Sequence, residues 1–178
     1  MPTLEVSNSQ LLIIDMQSRL VPALSGAENL IKNTGILLEA AVKLNVPLVY
    51  TEQNPEGIGE TLPELRRDEA TLFNKTSFDA LQTEQIANHF RGRQRDIIVT
   101  GCEAHICVLQ TVLGLKEKGH NVYVVLDAIG SRKKASKKAA VDRMKKHGAE
   151  MVTTEMVLFE WMKNSDHPDF RELVKLIK

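Results

Sequence analysis

Three side chains of complementary chemistry stand far apart in this sequence: Asp15, Lys75 and Cys107. A thiol becomes an effective nucleophile when a base accepts its proton and a cation offsets the charge that remains. Cys107 would lie in the first turn of a predicted helix, where the helix dipole and a neighbouring lysine lower the pKa of a thiol. The three residues are therefore the parts of an activated nucleophile if the fold brings them together.

Each of these residues also has an ordinary structural interpretation. Cys107 fits a small apolar residue on a buried helix, Asp15 fits a residue that caps a turn, and lysines such as Lys75 are usually solvated. However, a carboxylate that follows four apolar residues is drawn close to the core, where it needs a partner. Spacing alone does not choose between these interpretations.

A metal site is another possible use of the segment that holds Cys107. Cys102, His105 and Cys107 are all potential ligands, but they lack the paired spacing of common sites and a clear fourth ligand. The two cysteines could also form a redox pair, although their spacing is not C-x-x-C. We predict neither a metal nor a cofactor.

The elements that must position these residues alternate along the chain. Short apolar runs predict strands at residues 11–14, 47–50, 96–100, 121–126 and 150–153, and residues 71–75 form a further brief extended piece. Helical patterns occupy residues 27–44, 83–90, 105–118, 135–147, 154–162 and 168–177. Gly101 is expected to end the strand that it follows. The alternation predicts a three-layer, doubly wound α/β fold. Its sheet is mostly parallel, has about six strands and is covered by helices on both faces.

This fold predicts where the chemistry lies. Ligands of open parallel sheets bind beyond the carboxyl ends of the strands. Asp15 follows the first strand, Lys75 ends the brief extended piece, and Cys107 lies just beyond the strand at residues 96–100. We therefore expect the three side chains to meet at one edge of the sheet.

Size and charge argue against several classes of protein. The 178 residues fit one domain, 1–178, and the balance of 23 basic against 23 acidic residues gives no reason to expect nucleic acid or a membrane surface as partner. The basic run that begins at Arg132 is expected to be the solvated face of a helix. Two cysteines make no disulfide framework, and neither a signal peptide nor a spanning segment of about 20 apolar residues is evident. We expect a cytoplasmic protein that acts on a small molecule.

Three segments together resemble the isochorismatase-like cysteine hydrolases, a family that includes nicotinamidases. The opening strand, the lysine motif and the glycine-to-cysteine segment of that family are similar to residues 12–17 (LIIDMQ), 75–78 (KTSF) and 101–108 (GCEAHICV). Residues 51–59 (TEQNPEGIG) and the Glu103-Ala104-His105 stretch resemble most closely the isochorismatase domain-containing subgroup.

The resemblance implies roles for particular residues. Asp15 would take the proton of Cys107, Lys75 would stabilise the charges, and the thiolate would attack the carbonyl of a small amide-like (C–N) substrate to form an acyl-enzyme. The peptide bond between Cys102 and Glu103 would be cis. The backbone N–H groups of Glu103 and Cys107 would form the oxyanion hole.

The resemblance also sets expectations about the pocket and the assembly. Residues 50–59 contain no histidine, so the metal that nicotinamidases hold after their second strand is not expected. Relatives commonly assemble, so a homo-oligomer is expected. Two other functions stay open: a catalytically silent binding or interaction protein, and isochorismatase-type hydrolysis of a vinyl ether, which needs no cysteine nucleophile. The wall of the substrate pocket is expected to include Gln17, Leu20, Gln53, Phe78 and His105.

Overall fold

The strands of this protein form one parallel sheet. The computed structural model describes residues 3–92 and 95–178. Within these residues, six strands pair in the order β3-β2-β1-β4-β5-β6. The chain starts near the middle, moves outward to β3, and then returns beside β1 to build the other half, which confirms the predicted doubly wound topology. The strands are β1 (Ser9–Ile14), β2 (Leu48–Gln53), β3 (Thr71–Lys75), β4 (Asp96–Cys102), β5 (Asn121–Gly130) and β6 (Glu150–Val152).

Helices cover both faces of the sheet, as the sequence predicted. Leu37 and Trp161 belong to the buried core on one face, whereas Val112 and Met144 belong to the core on the other. Within the described ranges, none of the helices combines the length and the apolar character that crossing a membrane requires. The helices are α1 (Ala27–Lys43), α2 (Pro55–Ile58), α3 (Glu84–Phe90), α4 (Leu109–Glu117), α5 (Lys134–Lys146), α6 (Thr154–Met162) and α7 (Phe170–Lys175).

Two boundaries beside the carboxyl edge of the sheet differ from the prediction. β4 does not end at Gly101 but continues to Cys102, and β5 extends beyond residue 126 to Gly130, because the ends of these two strands pair with each other. The helix predicted from His105 begins instead as a π-helical turn (Ala104–Val108), and α4 follows that turn. The π turn therefore leaves the sheet one residue after β4 ends.

Gly101 allows β1 and β4 to approach closely at this edge. Its φ of 117° is a conformation that L side chains rarely adopt, and a Cβ atom there would lie 2.0 Å from the carbonyl oxygen of Ile14. Glycine is therefore required by both conformation and space. The approach brings Cys102 next to Asp15, whose backbone carbonyl accepts a hydrogen bond from the Cys102 thiol at 3.2 Å.

Candidate active site

The carboxyl edge of the sheet gathers Asp15, Lys75 and Cys107. Asp15 directly follows β1, Lys75 is the last residue of β3, and Cys107 lies in the π turn after β4. The Lys75 ammonium donates to the Asp15 carboxylate at 2.8 Å, and both side chains have 0% exposure to solvent. Cys107 is also buried. Lys75 is thus not the solvated lysine that its residue type alone would suggest.

Hydrogen bonds hold the Asp15 carboxylate from two sides. The Thr51 hydroxyl donates to Oδ1 at 2.7 Å, while Lys75 Nζ donates to Oδ2 at 2.8 Å. Thr51 can do so because the parallel register of β1 and β2 places it opposite Ile14, the residue before Asp15. Asp15 itself has a φ of 50°, a left-handed conformation that aspartate tolerates better than most residues. The carboxylate is therefore fixed in one orientation.

The Lys75 ammonium has three acceptors for its three protons. Besides Asp15, Nζ donates to Gln53 Oε1 at 2.8 Å and to the carbonyl of Ser77 at 3.3 Å. The Gln53 amide is oriented in turn, since its Nε2 donates to the carbonyl of Thr76 at 2.7 Å. A buried ammonium is tolerated only when it is paired and hydrogen-bonded in this way.

The Cys107 thiol interacts with both members of the ion pair. The pKa of Cys107 is raised to about 12, chiefly by burial and next by the charge and hydrogen bonding of the Asp15 carboxylate, while Lys75 acts to lower it. Lys75 lowers this pKa as predicted, but the expectation of a lowered pKa overall is wrong, because burial and the Asp15 charge outweigh Lys75. At neutral pH the residue is a thiol, and a base in contact is needed to form the thiolate.

The start of the π turn has the backbone arrangement that the family resemblance implied. The peptide bond between Cys102 and Glu103 is cis. The Glu103 carbonyl accepts hydrogen bonds from the N–H groups of Ile106 at 3.0 Å and Val108 at 3.3 Å. N–H groups in the first turn of a helix generally lack intrahelical partners, which is what an oxyanion hole requires.

Gln17 supports the loop after β2, and its expected contact with a substrate stays a prediction. The side chain is fully buried, with its Oε1 accepting from the Gln53 N–H at 2.7 Å. Its Nε2 donates to the carbonyls of Gln53 at 3.0 Å and Gly59 at 2.5 Å. Both amide protons are used, so Gln17 fastens the loop after β2 to the sheet. Gln53, also expected in the pocket wall, orients Lys75.

The other three residues expected in the pocket wall keep some exposed surface. Phe78 is 52% exposed, and Leu20 is half-buried against the core. His105 is half-buried in the same turn as Cys107, and its Nδ1 lies 3.0 Å from the Ser131 hydroxyl. Contact of these three side chains with a substrate stays a prediction.

The alternative metal site at Cys102, His105 and Cys107 is not assembled. Cys102 belongs to the core on one face of the sheet, whereas Cys107 belongs to the core on the opposite face. Across residues 3–92 and 95–178, no group of three or more His, Cys, Asp or Glu side chains is placed to hold a metal ion.

Sequence reasoning missed Thr51, Ser131 and Arg132. Arg132 binds the Glu103 carboxylate through its backbone N–H at 3.0 Å and through Nε at 3.1 Å. The sequence indicated only a solvated basic run at this position. Thr51 could have been paired with Asp15 only if the register between the two strands had been known.

Cavity size does not identify the candidate site. A cavity of about 790 Å³ lies at the opposite, amino edge of the sheet, and none of the three clustered residues lines it. The described residues that line it include Arg91, Arg95 and Lys118, and the first and last of these lie at the ends of α3 and α4. Cations at helix C-termini complement the helix dipole, so they need no bound anion. The chemistry of the buried cluster is therefore the better guide.

Comparison with known proteins gives a consistent result. A family model for the isochorismatase domain matches residues 9–156. Isochorismatase domain-containing protein 2 of Danio rerio is 35% identical over 98% of this chain and 89% of its own length. The structure of MAR1 ribonuclease from Caenorhabditis elegans has a TM-score of 0.91 at 34% identity and covers 98% of this chain and 92% of that one. The YcaC gene product of Escherichia coli, described as an octameric hydrolase of unknown specificity, shares the fold, with a TM-score of 0.88 at 24% identity over 98% and 96% of the two chains. The chain belongs to the isochorismatase family, and isochorismatase domain-containing proteins resemble it over nearly its whole length.

Proposed function

We propose that the protein hydrolyses a small amide-like (C–N) substrate by covalent catalysis, with Cys107 as nucleophile, Asp15 as base and Lys75 as cationic partner. The observation that carries this proposal is the buried contact of one carboxylate, one ammonium and one thiol at the carboxyl edge of the sheet. Membership of the isochorismatase family supports hydrolytic chemistry.

The first step would form a covalent bond between Cys107 and the substrate. Asp15 accepts the Sγ proton while Sγ attacks the carbonyl carbon, and the C=O electron pair moves onto the oxygen. The N–H groups of Glu103 and Cys107 donate to that oxygen. Because the pKa of Cys107 is raised to about 12, free thiolate is scarce at neutral pH, and we expect proton transfer to accompany the attack.

The later steps would return the residues to their starting state. The C–N bond breaks, and the protonated Asp15 gives its proton to the leaving nitrogen, which leaves a thioester on Cys107. Water then attacks the thioester and loses a proton to Asp15. The C–S bond breaks, and the released thiolate regains the proton as the carboxylic acid leaves. The Lys75 ammonium stabilises the negative charge on the Asp15 carboxylate before proton transfer and the charge on the Cys107 Sγ when the thiolate is released.

Burial of the cluster favours a small substrate. The charged side chains of Asp15 and Lys75 are inaccessible to solvent, which favours a reacting carbonyl carried by a small molecule over one in a bulky polymer. RNA is the second candidate, because a relative of 34% identity is described as a ribonuclease and Lys133, Lys134 and Lys138 present exposed cations that could contact phosphates. A polymer backbone would reach the cluster only if the surrounding turns opened.

A substrate screen tests the proposal. Amides, esters, vinyl ethers and single-stranded RNA are offered to the wild type and to Cys107→Ala, with Cys102→Ala as the matched control. We expect turnover of an amide or ester by the wild type and Cys102→Ala, and none by Cys107→Ala. Retained turnover of a vinyl ether by Cys107→Ala would indicate isochorismatase-type chemistry. Cleavage of the RNA would indicate a nuclease. If no thiol-reactive reagent modifies Cys107 at neutral pH, a catalytically silent binding protein is favoured.

A further inference from the structure

We propose that Arg132 is a positioning residue, which holds Glu103 so that the Glu103 N–H points at the oxyanion while Cys107 is acylated. This inference rests on the proposed function and assigns a role to a residue outside the catalytic cluster. It is carried by the bonds that join the π turn to the loop between β5 and α5.

Two bonds from Arg132 hold the Glu103 side chain. The Glu103 Oε2 accepts the Arg132 backbone N–H at 3.0 Å, and Arg132 Nε lies 3.1 Å from both carboxylate oxygens. The Glu103 side chain is 6% exposed, whereas that of Arg132 is 60% exposed. The carboxylate therefore lies inside the protein, and the arginine reaches it from the surface.

The main chain of Glu103 is held at the same time. Its carbonyl accepts the N–H groups of Ile106 and Val108 within the π turn. With the side chain bound to Arg132 and the carbonyl bound to the turn, Glu103 has little freedom to rotate, and we infer that this also holds its backbone N–H in place.

A second hydrogen bond joins the same two segments. His105 Nδ1 lies 3.0 Å from the hydroxyl of Ser131, the residue before Arg132. The ends of β4 and β5 also pair, Cys102 with Gly130. The loop at Ser131 and Arg132 is thus attached to the strand end and to the π turn, and it is well placed to fix the turn against the sheet.

Arg132 also neutralises a charge close to the reaction. Without it, a buried carboxylate would remain unpaired on the same residue as the proposed oxyanion donor, and its negative charge would oppose that of the oxyanion. Loss of Arg132 should therefore slow a step that forms an oxyanion more than a step that does not.

Two reactions of the same thiol separate these effects. 4-Nitrophenyl acetate transfers its acetyl group to Cys107 through an oxyanion and releases 4-nitrophenolate, whereas iodoacetamide alkylates the thiol by displacement of iodide and forms none. Both need the sulfur to lose its proton. We expect Arg132→Met to slow acylation by about 10- to 100-fold with little change in KM, and to change alkylation by less than about twofold.

Matched variants complete the test. Arg143→Met, at an exposed position of α5, should change neither rate. Glu103→Gln keeps the shape and an acceptor for the Arg132 N–H, so it tests the pair even if Arg132→Met does not fold, and it should also slow acylation selectively. Combining Glu103→Gln with Arg132→Met removes both charges and should recover part of the lost acylation rate.

The outcomes separate this inference from the function on which it rests. Equal slowing of both reactions in Arg132→Met and Glu103→Gln, or no change in either variant, overturns the positioning role. Absence of acylation at Cys107 in a wild type that is still alkylated there overturns the proposed function itself.

Discussion

Two cysteines separated by four residues belong to different parts of this molecule. Cys102 ends β4 and lies in the core beneath α1 and α6, whereas Cys107 lies in the π turn and in the core on the other face of the sheet. Burial raises the pKa of both thiols, that of Cys102 to well above its ordinary value and that of Cys107 to about 12. Burial and pKa therefore do not distinguish a reactive thiol from a structural one.

The difference lies in which atoms of Asp15 each thiol meets. Cys102 donates to the backbone carbonyl of Asp15, which cannot take up a proton at ordinary pH. Cys107 interacts with the carboxylate of the same residue, which can, and with the Lys75 ammonium. The comparison indicates that a base in contact, and not a low pKa, makes Cys107 the candidate nucleophile.

Removing each thiol in turn should give the largest contrast. Cys107→Ala should lower kcat by about 10⁴-fold or more, because the covalent route is lost. Cys102→Ala should lower kcat by less than about tenfold, since it removes one hydrogen bond and a small buried volume. Steady-state kinetics on a substrate from the screen measures both, and equal losses would remove the distinction between the two cysteines.

Removing the base should affect both activity and stability. Asp15→Asn should lower kcat by about 10³-fold. It also leaves Lys75 buried without an ionised partner, which should cost about 3 kcal/mol in the free energy of unfolding. The control is Lys43→Met, which breaks a surface pair with Glu172 and should leave urea unfolding unchanged. Full activity of a folded Asp15→Asn protein would show that Asp15 is not the base.

The pH dependence of Cys107 alkylation should reflect its raised pKa. Because that pKa is about 12, the rate with iodoacetamide should rise about tenfold per pH unit from about pH 7 to 10 without levelling off. Lys75 lowers the pKa of Cys107, so Lys75→Met should slow alkylation at each pH. Mass spectrometry of the Cys107 peptide measures the rate, and levelling off below pH 9 would contradict the prediction.

The smallest expected effect is on stability at alkaline pH. The folded pKa of Cys107, about 12, lies above the ordinary 9.0, so the unfolded chain releases this proton first as pH rises. The stabilisation is complete below about pH 9 and decreases between about pH 9 and 12, by on the order of 1 kcal/mol at pH 10. Cys107→Ala should lose less free energy of unfolding than the wild type between pH 8 and 10. The same loss in both proteins would contradict the raised pKa.

The sequence predicted the fold and the clustered residues well, for identifiable reasons. Asp15 and Lys75 end apolar or extended segments, and parallel strands place such ends at one edge of the sheet. The cis bond at Glu103 followed from the family resemblance alone. The strand ends depend on short local patterns, which a single sequence shows directly.

Features that depend on register and solvent exposure could not be predicted from the sequence. The hydrogen bond of Thr51 to Asp15 needs the alignment of β2 with β1, and Arg132 looked like part of a solvated run until its loop was placed against Glu103. The direction of the Cys107 pKa shift depended on how completely water is excluded, which no spacing in the sequence indicates.

The most direct measurement is the mass of the protein during turnover. An amide or ester substrate is added, and samples are quenched in acid within milliseconds to seconds. Mass spectrometry then gives the mass of the intact protein, and peptide mapping locates any adduct. The account predicts a transient mass increase equal to the acyl group, located on Cys107 with Cys102 unmodified, that disappears as substrate is consumed. Turnover without an adduct in wild type and Cys107→Ala alike, or an adduct on Cys102, would contradict it.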